Sequence, residues 1–351
     1  MYDLNFLIEV DYKYPIDKKM WKEKGKVKLG IFGTGGIVGG VVPTLKELEQ
    51  IECYAIASRT LEKAKEVAKK HGFSKAYGSY EELVADKEVE LVYIATPHSR
   101  HFEDMKLCLE HGKHVLCEKA FTLNAEQAKE IQSLAKEKGL FVAEAIWPRY
   151  MPSRYLIDAV VESGIIGKIT KVTANLCAPI SHVPRLIQPE LAGGSLLDLG
   201  VYGLNFVIMH CGTEFDKVES SVELTETGVD GTEKMTLFYK NGIVAQLEHS
   251  MFYQNDTRGI FYGEKGRIVV ENIINPQSIS VYDLEDKLIK AVAIPPQISG
   301  YEYEFIEAVE CIKQGKLESN SMPFAETIYM MELMDSFRKE WGVIYPQEKE
   351  S

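Results

Sequence analysis

Gly33, Gly35 and Gly36 stand directly after an apolar run, Val27-Lys28-Leu29-Gly30-Ile31-Phe32, and directly before a helical pattern. Two glycines at that spacing allow a tight turn and let the backbone approach a pyrophosphate. The phosphates then rest on the free N–H groups of the helix's first turn, here Gly36, Ile37 and Val38. Val38 occupies the third small position of a G-x-G-x-x-G fingerprint, so the match is incomplete, and an ordinary strand-to-helix turn is the competing reading. A strand before, a helix after and a second strand on schedule favour a dinucleotide cradle. Ser58 and Arg59 end that second strand, and Lys63 follows one turn on. An acid in this place hydrogen-bonds the ribose 2′-hydroxyl of NAD. None is present, and a hydroxyl with two cations suits a 2′-phosphate, which a guanidinium binds as a fork. The residues point to NADP over NAD, against a solvated helix start with an incidental arginine.

A second set of side chains suits proton transfer. Lys119 follows an apolar strand and has Val115, Leu116 and Phe121 as neighbours, surroundings in which a cation needs a reason. A snorkelling surface lysine is the alternative. Asp198 and Tyr202 are four apart, on one helical face, just past Gly193-Gly194. A phenol with a pKa near ~10 is a poor base at neutral pH, and an ammonium nearby favours the phenolate and brings it toward a useful range. A core aromatic with a satisfied hydroxyl is the alternative for Tyr202. Trp147-Pro148-Arg149 closes the first half of the chain, and Arg185 precedes the Asp198 segment. Interdomain packing competes for Trp147, and a surface role competes for Arg185.

These residues need a scaffold. From Val27 to about Trp147, apolar strands alternate with amphipathic helices, which predicts a parallel sheet covered on both faces, with a ligand at the strands' carboxyl ends. After Pro152 one helix leads into a strand near Lys168–Leu176. Residues 217–284 then read as six consecutive alternating strands, and two helices, near Tyr301–Gln314 and Phe324–Glu340, close the chain. The expected fold class is α/β: a doubly wound Rossmann sheet plus a C-terminal α/β domain with a large, open, mostly antiparallel sheet. The expected divisions are an extension over 1–26, a dinucleotide-binding domain over 27–147, and a substrate-binding and oligomerisation domain over 148–347.

Composition narrows the class further. A net charge of −12 argues against nucleic acid or an anionic membrane surface as partner. No window approaches the ~20 apolar residues of a membrane helix. Residues 1–26 carry acids among Leu4, Phe6, Leu7 and Ile8, unlike a signal peptide. The six cysteines are scattered without a C-x-x-C pair, as reduced thiols of a cytoplasmic protein are. The pairs His98/His101 and His111/His114 have no acid or cysteine cluster beside them, so no metal is expected.

Ordered motifs add to this: GTGGIV, ASR at 57–59, ATPHSRH at 95–101, HVLCEKA at 114–120, EAIWPR at 144–149, GGSLLDLGVYGLNF at 193–206 and ETGVDGT at 226–232. With the closing GYEYEFIEAVECIKQGKLES and WGVIYPQ, they make the chain resemble the Gfo/Idh/MocA oxidoreductases over nearly all of residues 27–347. Within that family it is most similar to dimeric dihydrodiol dehydrogenases, also described as NADP-dependent D-xylose 1-dehydrogenases.

The resemblance implies hydride transfer between a sugar or cyclic vicinal-diol carbon and a nicotinamide. It puts Lys119 beside the nicotinamide ribose and the substrate hydroxyl, makes Tyr202 the proton acceptor, and has Asp198 orient the substrate or Lys119. It adds Thr96, Pro97, His98, His101, Glu118, Trp147 and Arg149 to the cofactor's surroundings and Trp147 and Arg185 to the substrate's. Ala120 stands where the family has proline, and Tyr202 where many relatives have histidine. A homodimer is expected through the open face of the C-terminal sheet. The alternatives are a carbonyl or ketosugar reductase of the same family and a non-catalytic, dinucleotide-sensing regulator. The motifs leave the substrate open, because pocket shape decides it.

Overall fold

A computed structural model describes residues 25–349. The expected extension, with Leu4, Phe6, Leu7 and Ile8, lies outside the described residues except for Gly25 and Lys26. The chain forms two compact units. One runs to Tyr150 and includes Gln297–Asp335; the other comprises Met151–Pro296 and the residues from Ser336 onward.

The first unit is built on six strands: β1 (Val27–Phe32), β2 (Ile51–Ala57), β3 (Lys75–Tyr77), β4 (Leu91–Ile94), β5 (His114–Glu118) and β6 (Val142–Ala145). All are parallel, in the order β3-β2-β1-β4-β5-β6. β1 and β4, in the middle of the sheet, are buried almost throughout because helices cover both faces. These are α1 (Gly36–Lys46), α2 (Leu61–His71), α3 (Tyr80–Ala85), α4 (His101–Glu110) and α5 (Ala125–Lys138). Local chemistry sets their ends. In α2, Glu62 opens the first turn, Lys69, Lys70 and His71 crowd the last, and Gly72 at φ 71° ends it. In α5, the Asn124 side chain accepts the Gln127 N–H at 3.0 Å. The sheet order reverses between β1 and β4, and that opens a crevice at the strands' carboxyl ends.

Two further helices, α8 (Glu302–Gln314) and most of α9 (Phe324–Trp341), belong with this sheet, although the sequence groups them with the substrate domain. Thr44 Oγ1 meets Ser299 Oγ at 2.7 Å, Val142 N–H donates to Leu317 O at 3.0 Å, and Ala125 N–H donates to Asp335 at 2.8 Å.

In the second unit α6 (Pro152–Glu162) leads into an eight-stranded sheet. Its strands are β7 (Ile169–Cys177), β8 (Phe215–Leu224), β9 (Asp230–Tyr239), β10 (Val244–Ser250), β11 (Gly259–Gly263), β12 (Gly266–Glu271), β13 (Ser278–Asp283) and β14 (Leu288–Ala293). They lie in the order β14-β13-β12-β11-β7-β10-β9-β8. Only β7 and β10 pair in parallel; the rest are antiparallel. α7 (Val201–Cys211) lies over β7 and β10. Phe206 on α7 packs against Phe261, ring centres 5.6 Å apart, above Gly259, where a Cβ would come within 2.1 Å of the Phe206 ring. The alternation facing α7 buries Tyr239 and Phe261, whereas the outward one leaves Phe238 and Tyr262 half-exposed. Lys217 and Lys171 lie over those two rings. Against the expectation that no window approaches a membrane helix, the helical run Pro189–Cys211 is long and apolar enough to cross one by composition; 89% of its apolar window is buried as core, which is what makes it apolar.

Candidate active site

β1 ends in the glycine turn. Gly33 has φ +100°, and a Cβ there would lie 2.6 Å from Ala95 O, so only glycine fits between the ends of β1 and β4. Gly35 and Gly36 are exposed, and a Cβ on either would meet nothing within 4 Å. Gly35 caps α1 without any side-chain acceptor, which leaves the first-turn N–H groups of Gly36 and Ile37 open to an anion. Val38 is buried and its N–H turns back to Gly35 O at 3.2 Å. At the end of β2, Ser58 is buried with Oγ 3.5 Å from Thr34 Oγ1, while Arg59 and Lys63 are exposed. The end of β2 therefore adjoins the glycine turn, and Arg59 follows it directly in the chain.

The next strand ends carry a polar cluster. Thr96 donates its hydroxyl to Asp104 at 2.7 Å, and Pro97 starts the short turn His98–Arg100. His98 is buried and edge-on to His101, 5.7 Å between ring centres. His101 is wholly buried with one nitrogen 2.8 Å from Ala120 O and the other 2.9 Å from Thr96 O. Burial lowers its pKa to about 4, so the neutral ring offers one N–H to two carbonyls. His101 thus ties the end of β4 to the segment after β5. Lys119 is half-buried there, and the Lys119–Ala120 peptide is cis. Glu118 accepts the Tyr93 hydroxyl. Glu304 is fully buried and its oxygens have no hydrogen-bond partner among the described residues; burial and then the Glu118 charge lift its pKa well above the carboxylate range.

Trp147 stacks on Tyr301 at 4.3 Å and 15°. Arg149 is wholly buried and ion-paired with Glu326 of α9. Burial raises the pKa of Glu144 to about 7 despite the Arg149 charge nearby. In this geometry Arg149 is anchored inside its own unit, in a structural ion pair.

In the second unit, Arg185 reaches Asp198 at 3.0 Å; Asp198 is 8% exposed and Arg185 43%. Tyr202 is half-buried on α7. The helix carrying them begins as a π turn over Leu196–Gly200, which simple i, i+4 spacing does not reveal. Gly193 O accepts the Tyr345 hydroxyl at 2.8 Å, and Gly194 has φ +122° with Asp230 packed against it. Asp230 accepts the Leu196 N–H at 2.5 Å, and burial raises its pKa to about 7. Glu233 and His249, both wholly buried, lie under the same helix. The sequence reading missed Tyr93, Tyr301, Glu304, Asp230, Glu233 and His249. The available signal was a charged residue on the inward alternation of a strand, as at Glu233 and His249.

Two family models match the chain. One, described as an oxidoreductase family with an NAD-binding Rossmann fold, covers residues 27–145, and one described as a GFO/IDH/MocA C-terminal domain covers 156–269. Among curated proteins, trans-1,2-dihydrobenzene-1,2-diol dehydrogenase of Sus scrofa is 36% identical over 335 residues, 92% of this chain and 99% of that one. The Mus musculus protein of the same name is 34% identical over 336 residues, with the same coverage. Among solved structures, KijD10, a 3-ketoreductase from Actinomadura kijaniata in complex with NADP and TDP-benzene, has a TM-score of 0.83 at 23% identity, covering 90% of this chain and 98% of that one. Aldose-aldose oxidoreductase from Caulobacter crescentus has a TM-score of 0.81 at 20% identity, covering 91% and 98%.

Proposed function

The chain belongs to the Gfo/Idh/MocA oxidoreductase family, and from that premise we propose that this NAD(P)-binding oxidoreductase of CH–OH groups uses NADP to oxidise a sugar or cyclic vicinal-diol hydroxyl. The observation that carries the reading is the open Gly33–Gly36 turn at the point where the strand order reverses. Bare, exposed backbone at an uncapped helix start fits a pyrophosphate, and the residues at the end of β2 fit a 2′-phosphate. Arg59 and Lys63 hold that phosphate with Ser58, and no acid is present there to favour NAD.

NADP, when bound, supplies the hydride acceptor. The chain's own residues handle the proton and the orientation. Arg185 fixes the Asp198 carboxylate, which in turn orients the substrate hydroxyl. Tyr202 takes the hydroxyl proton, and Lys119 supplies the ammonium that favours its phenolate. Support for a diol or sugar comes from the diol named in the relatives' description, at 34–36% identity over 92% of the chain.

A screen of NADP⁺ reduction across aldoses, inositols and cyclic trans-diols tests the reading. Turnover on one of these classes supports it. NADPH binding at one per chain with no turnover on any of them would replace it with a dinucleotide sensor, and activity confined to carbonyl reduction would replace it with a reductase. The proposal also includes a homodimer through the outer face of the eight-stranded sheet, where Phe238 and Tyr262 are half-exposed. A monomeric mass by light scattering at micromolar concentration would refute it. The six cysteines are all free, which suits the reducing cytoplasm.

A further inference from the structure

The sheet under the Asp198–Tyr202 helix is polar where the helix presses on it. His249 of β10 and Glu233 of β9 are register partners across an antiparallel pair, and both are wholly buried. His249 Nδ1 and Glu233 Oε1 are 3.5 Å apart, a few tenths longer than a good N–H···O bond. By bond geometry neither ring nitrogen and neither carboxyl oxygen has a hydrogen-bond partner among the described residues, although the Ser195 hydroxyl lies close enough to the Glu233 carboxyl to act on its pKa. The helix meets them with bare backbone. A Cβ on Gly200 would lie 2.8 Å from Glu233 Oε1, and one on Gly203 would lie 2.0 Å from His249 Nε2. Between these contacts the helix changes from the π turn that carries Asp198 to the α-helix that carries Tyr202. Buried polar groups of this kind call for an explanation, and π turns are common at functional sites.

Resting on the assignment of Tyr202 and Asp198 above, we propose that Glu233 and His249 are positioning residues: as one buried, facing polar pair they hold the turn over residues 196–203 and so set the spacing of Asp198 and Tyr202. Neither touches substrate in this scheme. Burial keeps the pair uncharged, lifting Glu233 well above the carboxylate range and lowering His249 to about 3. The groups that face the pair are few. Ser195 lies beside the Glu233 carboxyl, Asp230 shares its strand, Glu248 adjoins His249, Cys177 faces Glu233 from β7, and Tyr345 approaches from the C-terminal segment with Arg338 behind it. A neutral acid and a neutral imidazole carry one proton each, so either an Oε1 hydroxyl faces a bare Nδ1 or an Nδ1–H faces a carbonyl Oε1, a polar contact at 3.5 Å in both arrangements.

The experiment compares Glu233→Gln, Glu233→Leu and Gly200→Ala, with Tyr202→Phe as reference, in the full chain. Glu233→Leu removes the polar partner and should lower kcat about 10–100-fold, the scale of a small misplacement of reacting groups, with NADPH affinity unchanged. Glu233→Gln keeps an uncharged hydrogen-bonding group and should restore turnover, with the same pH–rate profile as wild type. Gly200→Ala pushes the carboxyl from the helix side and should lower kcat in the same way, so the test survives if Glu233→Leu does not fold. Amide hydrogen exchange, which needs no turnover, should quicken across 196–203 in Glu233→Leu and Gly200→Ala but not in Glu233→Gln. Wild-type kcat in Glu233→Leu or Gly200→Ala, or a displaced pH profile in Glu233→Gln, overturns the proposal. Full turnover in Tyr202→Phe overturns instead the assignment on which it rests, and the exchange data then still decide whether the pair holds the turn.

Discussion

Two glycines two residues apart should fail in opposite ways when changed to alanine. At Gly33 the backbone sits at φ +100°, a region that costs a non-glycine residue about 1–3 kcal/mol. The added Cβ would also lie 2.6 Å from Ala95 O, which cannot move freely because the Ala95 N–H is bonded to Phe32 O at 2.9 Å and the Gly33 N–H to Ala57 O at 3.0 Å. Relieving that overlap means opening the seam between β1 and β4. Together the two effects should destabilise Gly33→Ala by about 2–4 kcal/mol. Gly35 has φ −73°, and its Cβ would meet nothing within 4 Å. Gly35→Ala should leave stability within about 0.5 kcal/mol of wild type, because the gain through the unfolded chain is offset by alanine's poorer fit at the N-cap. Its methyl, however, would occupy the space through which a pyrophosphate reaches the helix start. Losing one N–H···phosphate bond costs about 1.5–3 kcal/mol, a loss of roughly 10–100-fold in NADPH affinity. Urea denaturation and calorimetric titration with NADPH on both variants separate the two predictions. Wild-type NADPH affinity in Gly35→Ala would show that the turn does not cradle phosphate, and an unchanged urea midpoint in Gly33→Ala would remove the steric reasoning.

Arg59→Ala should weaken NADP⁺ by about 10–100-fold and leave NAD⁺ nearly unchanged; equal losses, measured by fluorescence titration, would detach Arg59 from the 2′-phosphate. Tyr202→Phe and Lys119→Met should each lower turnover about 10²–10⁴-fold, and the double variant little further, because the two act on one proton. Wild-type oxidation should rise with pH through one deprotonation below that of free tyrosine, and retained turnover in Tyr202→Phe with a full substrate deuterium isotope effect would move the base elsewhere. Glu144 titrates near 7 when folded against a usual 4.5, so it stabilises the fold below the lower value and that contribution is lost as pH rises through the higher. Glu144→Gln should therefore flatten the pH dependence of the urea midpoint between these values, by up to about 3 kcal/mol, and an unchanged slope would refute the burial account.

Much of the nucleotide-binding sheet is legible because periodicity speaks for itself there. Continuous apolar strands such as Leu91–Ile94 and amphipathic helices such as Leu61–His71 alternate with clear punctuation. Lys75–Tyr77 and Tyr80–Ala85 escape because three- and six-residue elements hold less than two periods. β14 escapes because an edge strand with Leu288 and Ile289 exposed shows little alternation. At the candidate site, glycines and cations announce themselves through residue type. The Arg185–Asp198 bond, the Arg149–Glu326 pair and the Glu233–His249 register do not, because each joins residues far apart in sequence through tertiary packing.

The first unit is discontinuous: its sheet is complete by Ala145, but its cover waits for residues 297–335. Tyr93 packs edge-on to Phe305, and Arg149 finds its counter-charge on Glu326. On the ribosome, the sheet therefore emerges before the helices that seal it. At synthesis rates of about 5–20 residues per second, the interval is on the order of ten seconds or more. During that time a set of parallel strands, the arrangement slowest to form and most prone to aberrant pairing, is without part of its core. A nascent chain stopped near Tyr150 exposes the apolar surface that Phe305 and its neighbours later cover, and Arg149 has no partner carboxylate from Glu326. Chaperone demand during synthesis should thus peak while the second unit is being made, and fall once α8 and α9 have cleared the exit tunnel.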